Sequence, residues 1–165
     1  MSQKETFITQ INEGYTSRGE SILLGAAMLD GSRPVVALTL RHDRLDNFWF
    51  ALLHELVHVQ KHLDSDNDFI ADNLEDKIQM QTRDEQEADE GAKQALIAPE
   101  EWENSAVSLE HNTENAKALA DKLRIHPVIV AGRVRHETGN WRLLSNIKAT
   151  VRQHFESAGV TAERS

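Results

Sequence analysis

The segment His54-Glu55-Leu56-Val57-His58 constrains this chain more than any other feature. Side chains four residues apart share one face of an α-helix, so two imidazoles at this spacing can reach a single cation. Glu55 follows the first histidine directly, near the open side of such an ion, where it can take a proton from water. Two surface histidines flanking a glutamate would sit among polar residues. Here Leu52, Leu53, Leu56, Val57 and Val59 crowd the pair. The pattern predicts a helix with Asp46 as N-cap, running to about Leu63 through the centre of a domain.

Two histidines leave a zinc site short of a ligand, because a catalytic site uses three protein ligands and keeps one position open. His62 lies two turns past His54, roughly 12 Å along the axis at 1.5 Å per residue. On a straight helix it cannot share their ion, so it reads as a partly exposed residue at the helix end. A second helix, expected from near Arg83 to Ile97, carries Glu85 and Asp89 on one face. One of these carboxylates can ligate while the other accepts the N–H of a ligand histidine. Glu87 is an alternative ligand, and Thr82 with Glu85 also fits a capping box. The small Ala88 and Ala92 would let the two helices approach closely. With no cysteine in the chain, metal ligands must be histidine and carboxylate. That donor set suits zinc best, with manganese as the other candidate.

The remaining sequence sets these helices in a single α+β domain, mostly helical, with a small N-terminal sheet or hairpin. Residues 1–20 read as an N-terminal extension, with a short helix over 5–17, and residues 21–165 as the domain. Ile22–Leu29 and Pro34–Leu40 are apolar runs joined at Asp30-Gly31-Ser32, a hairpin pattern. The acidic stretch from Asp64 to Asp76 is expected to be a mobile loop, with a lid or weak cation site as less favoured readings. Short helices follow from Pro99, over Thr113–Leu123, from Pro127 to about His136 and over Asn146–Phe155, making a helical C-terminal part at 112–156. Trp49 and Trp102 are expected as core or subdomain contacts and not as substrate platforms, and Trp141 is open to either reading.

Charge narrows the partners. The net charge of −9 argues against coating nucleic acid. The balance reverses locally between Lys117 and Arg152, and Ala116 to His136 has some helix-turn-helix character. Pro127 at the start of its second helix favours packing over groove recognition, so direct DNA binding is not expected. No apolar run is long enough to cross a bilayer, and no leader pattern opens the chain, which makes the cytoplasm the simplest compartment.

Taken together, Leu38-Thr39-Leu40-Arg41, Asp46 to Phe50, His54 to His58, Glu85-Gln86-Glu87-Ala88-Asp89 and Leu96-Ile97-Ala98-Pro99 resemble the ImmA/IrrE-type metallopeptidases. These are gluzincin-like enzymes with a zincin-like fold, found fused to or beside Xre-type regulators and HigA-like antitoxins. The run from His126 to Glu137 is similar to the same subgroup, and the similarity covers roughly Gly25 to Phe155. The resemblance implies His54, His58 and Glu85 as zinc ligands, Glu55 as general base and Asp89 as partner to a ligand histidine. It further implies an endopeptidase that cleaves a helix-turn-helix repressor of the Xre type. No helix-turn-helix precedes residue 25, so a stand-alone protein or isolated domain is expected.

Two further expectations concern the substrate. Its backbone is expected to add as a strand along Val35 to Leu40, with Val36, Leu38 and Leu40 as the substrate strand. The oxyanion of the transition state wants a donor. Tyr15 is the one tyrosine and lies outside the ordered pattern, which leaves His126, Arg133, Arg135 and His136 as candidates. The competing function is a catalytically silent sensor or interaction module of a toxin–antitoxin or repressor system. An intact Glu55 argues against it, since a structural metal needs no base beside it.

Overall fold

The computed structural model describes residues 7–10, 23–40, 42–64, 69–73 and 83–157. Four strands, β1 (Phe7–Gln10), β2 (Leu23–Asp30), β3 (Arg33–Leu38) and β4 (Phe69–Asn73), form one sheet in the order β1-β3-β2-β4. The hairpin between β2 and β3 is present. Asp30 pairs with Arg33, and Gly31 takes φ 63° at the first turn position, a conformation open to glycine at no steric cost. β1 runs parallel to β3 and β4 antiparallel to β2.

Three expectations are corrected here. Residues 7–10, placed in an N-terminal helix and outside the domain, form a strand of its sheet. Part of the stretch read as an acidic loop is β4, whose backbone pairs antiparallel with β2. β3 lies between β1 and β2 and is therefore no edge. Its Val36 and Leu38, with Leu40 beyond its end, are buried core residues and not a substrate strand.

Helix α1 (Leu45–Lys61) packs on β2 and β3, on α2 (Arg83–Leu96) and on α6 (Pro127–Thr138). Its N-cap is Arg44, not Asp46. Asp46 sits inside the first turn, where a carboxylate favours the positive end of the helix dipole. Short helices α3 (Pro99–Glu103) and α4 (Ala106–Leu109) lead to α5 (Thr113–Leu123). Arg124 closes α5 in the left-handed region at φ 56°. α7 (Arg152–Ser157) occupies only the end of the helix expected over 146–155, and the residues from 146 to 151 before it are not helical.

The main apolar core belongs to the C-terminal helices, where Ile97, Trp102, Val107, Leu119, Val130 and Val134 pack together. Trp102 is thus in the core, whereas Trp49 and Trp141 are exposed. α6 is buried along much of its length, so it is a packing element and presents no basic face. Its Arg135 is internal, with Nη1 donating to Asp46 at 3.1 Å and Nε and Nη2 donating to the carbonyls of Leu143, Leu144 and Ile147. This pair ties α1 to α6 and to the turns after it. Among the described residues, no helix is long and apolar enough to cross a membrane.

Candidate metal centre

Burial along α1 inverts the usual rule. Its buried side chains are Asp46, His54, Glu55 and His58, while the leucines and valines around them are only half-buried. Neighbouring elements reach this polar core because they present small residues to it. Ala88 and Ala92 of α2 are fully buried, and a Cβ on Gly91 would stand 2.8 Å from Val57. On the sheet side, a Cβ on Gly25 would stand 2.3 Å from Oε1 of Glu55. Gly25 pairs with Asp72 of β4, next to an irregularity in the β2–β4 register. Local breaks of this kind re-aim chains beside functional sites.

Three side chains converge between α1 and α2. Nε2 of His54 and Nε2 of His58 lie 3.0 Å apart. Oε2 of Glu85 is 3.4 Å from the first nitrogen, and its Oε1 is 3.3 Å from the second. Zinc held tetrahedrally at 2.0–2.2 Å spaces its ligand atoms about 3.3 to 3.6 Å apart. The two carboxylate–imidazole separations match that spacing and the two imidazoles stand slightly closer, so the three groups could hold a metal ion. Hydrogen bonds from His54 and then His58 keep the Glu85 carboxyl well below the usual carboxylate range, with burial opposing them. Glu85 is therefore the anionic member of the set.

Proton placement supports the same fit. Nδ1 of His54 lies 3.0 Å from Oδ1 of Asp89. If the Asp89 carboxylate accepts there, Nδ1 of His54 carries the proton, and in the neutral ring Nε2 is left with its lone pair on the His58 side. Asp89 is thus placed to favour the tautomer that a ligand needs. On the other imidazole, Nδ1 of His58 lies 2.8 Å from Nδ1 of His62. Donation from Nδ1 of each imidazole would leave both Nε2 atoms, 3.0 Å apart, as acceptors, so that a cation between them would take the place of their hydrogen bonds to Glu85.

His62 is the C-cap of α1 and partly exposed, as expected of the helix end, but its side chain is packed at 6% exposure, with Nε2 3.4 Å from Glu87. Glu87, the alternative ligand, lies outside the cluster and pairs with Lys61 at 2.6 Å. Thr82 and its capping box fall outside the described residues. The i, i+4 spacing of His58 and His62 was visible in the sequence and could have revealed this contact. A separation of about 12 Å from His54 keeps His62 from sharing an ion with it but allows its ring to meet that of His58.

The candidate oxyanion donors scatter. His126 caps α6, its Nδ1 accepting from the Val128 N–H at 3.1 Å. That end of α6 is about 15 Å from His136 at 1.5 Å per residue. Arg133 pairs with Glu137 and lies 5.2 Å over the Trp102 ring, and Arg135 is committed to Asp46. His136 comes closest to the cluster. It stacks on Phe50 at 4.8 Å, and Phe50 in turn lies 6.3 Å from the His54 ring. No protein-family model, curated protein or solved structure matches the chain.

Proposed function

We propose that the chain is a zinc-dependent endopeptidase acting on a partner protein, with a helix-turn-helix repressor of the Xre type as the expected substrate. The observation that carries this reading is the pairing of a three-ligand cluster with a buried glutamate one residue from its first histidine. His54, His58 and Glu85 would hold the metal, leaving room for a fourth ligand. When bound, the metal supplies Lewis acidity that polarises the scissile carbonyl and makes water acidic near neutral pH.

Glu55 takes a proton from the attacking water as its oxygen bonds to the peptide carbon. It then returns that proton to the nitrogen as the C–N bond breaks. Asp89 keeps His54 in the tautomer that turns Nε2 toward the metal. β4 replaces β3 as the strand on which an extended substrate would add. It is an edge of the sheet, and it pairs with Gly25, the residue against which Glu55 packs.

The test is metal content by mass spectrometry on the purified chain and on His58→Ala, followed by cleavage assays with Glu55→Gln against repressors encoded nearby. About one zinc per chain, lost in His58→Ala, with cleavage abolished in Glu55→Gln, supports the proposal. Stoichiometric zinc with no cleavage by either protein would leave a metal-holding interaction module. No metal uptake would overturn both readings.

A further inference from the structure

One turn of α1 before His54, the groove between α1 and α2 widens into a small cavity that the chemistry above does not use. Phe50, whose ring lies 6.3 Å from that of His54, lines it together with Leu96, Ile97, Ile129 and Trp141. Its volume is about 50 Å³. A water requires about 10–15 Å³ on this measure, so the space holds roughly four atoms, the size of a carboxylate with one or two methylenes.

The lining is mostly apolar but draws on three cationic side chains, in a chain whose net charge is −9. Arg44, Lys93 and Arg133 line it from three different elements, against the single carboxylate of Asp46. Asp46 is already engaged by Arg44 and Arg135. Lys93 and Arg133 do have carboxylate partners, Glu90 at 3.3 Å and Glu137, but neither partner lines the cavity. Nη1 of Arg133 is buried without a hydrogen-bond acceptor. A packing defect in a core would be walled by apolar groups and stay dry. Cations among apolar side chains suit an anion carried on a short hydrocarbon stem.

We infer that this cavity is a subsite for a carboxylate of the substrate, either a glutamate or aspartate side chain or the terminus of a peptide. The inference rests on the peptidase reading for its purpose, though not for its test. Four residues of helix separate Phe50 from His54, about 6 Å along the axis. An extended chain covers that distance in about two residues, so the recognised group lies about two positions from the scissile bond.

The experiment is a titration followed by ¹⁵N–¹H NMR, using the full chain and the His58→Ala variant so that ligation at a metal cannot imitate the result. The probes are N-acetylglutamate α-amide for a side-chain carboxylate, N-acetylglycine for a terminal one, and N-acetylglutamine amide as the uncharged isostere. Saturable shifts at the Trp141 indole and the Gly132 amide are expected with a carboxylate probe in both proteins, and none with the isostere. The stronger of the two acids identifies the source of the carboxylate. Lys93→Gln and Arg133→Gln should each weaken binding about tenfold, as loss of a charge-assisted hydrogen bond does. The inference is overturned if neither acid binds, if the isostere binds equally well, or if both substitutions leave the affinity unchanged. A positive result stands even if no peptidase activity is found, and a negative one leaves the metal assignment intact.

Discussion

Glu55 of α1 and Gly25 of β2 meet so closely that a single methyl group on the glycine would fall 2.3 Å from the carboxylate oxygen Oε1. The contact fixes where the proposed base stands, and it makes Gly25 a means of moving that base without touching a metal ligand. Gly25→Ala should displace the Glu55 carboxylate at a stability cost of about 1–3 kcal/mol, as overpacking does in well-filled cores. Metal content should be retained while peptide cleavage falls steeply. Unchanged turnover in a folded, zinc-loaded Gly25→Ala protein would show that this contact does not position Glu55.

Glu55→Gln keeps the size of the side chain and removes its basicity. Hydrolysis should drop on the order of 10²–10⁴-fold, the usual worth of a positioned general base, with zinc binding unchanged. Parallel measurement of kcat and bound zinc tests this. Loss of zinc together with activity would make Glu55 part of the metal-holding set.

His62 touches His58 at 2.8 Å and is not a member of the ligand cluster. Residues that accept the outer N–H of a ligand histidine commonly change metal affinity 10–100-fold when removed. His62→Ala should weaken zinc binding by about that factor in competition with a chromogenic chelator. His62→Gln, whose amide oxygen can still accept, should recover part of the loss. Equal affinities in all three proteins would reduce His62 to a simple helix cap.

Acid should destabilise the metal-free protein in part through Glu85. Its pKa is depressed below the ordinary value of 4.5 by His54 and His58. Its contribution to stability is therefore complete above about pH 4.5 and is lost as pH falls toward the folded-state value. Glu85→Gln should be less stable than wild type near neutrality, and the gap should close on acidification. Urea unfolding from pH 7 to pH 3 measures it, and a gap independent of pH would remove the linkage.

The Asp46–Arg135 pair, with side chains 5% and 6% exposed, joins α1 to α6. Arg135→Met removes one partner of a buried ion pair and three carbonyl contacts at Leu143, Leu144 and Ile147. A loss of roughly 3–5 kcal/mol is expected, read from chemical denaturation, because the remaining polar groups stay buried. A loss under about 1 kcal/mol would mean that water replaces the guanidinium.

The local parts of this protein were written in its sequence. His54, Glu55 and His58 lie within five residues of one helix, and their relative placement follows from its 3.6-residue repeat. The acidic pair at Glu85 and Asp89 was legible for the same reason, as was the hairpin at Gly31. Tertiary structure alone decided which partners meet. It put β3 inside the sheet and β4 at its edge, because strand order depends on pairing between distant segments that no local pattern records. It set Asp89 on His54 and Glu85 between the two imidazoles, where the spacing along α2 had left their roles open. It also gathered Lys93, Arg133 and Arg44 from three elements around one cavity. A helix repeat fixes neighbours about 6 Å apart along one axis, whereas contacts between elements follow from how their surfaces pack.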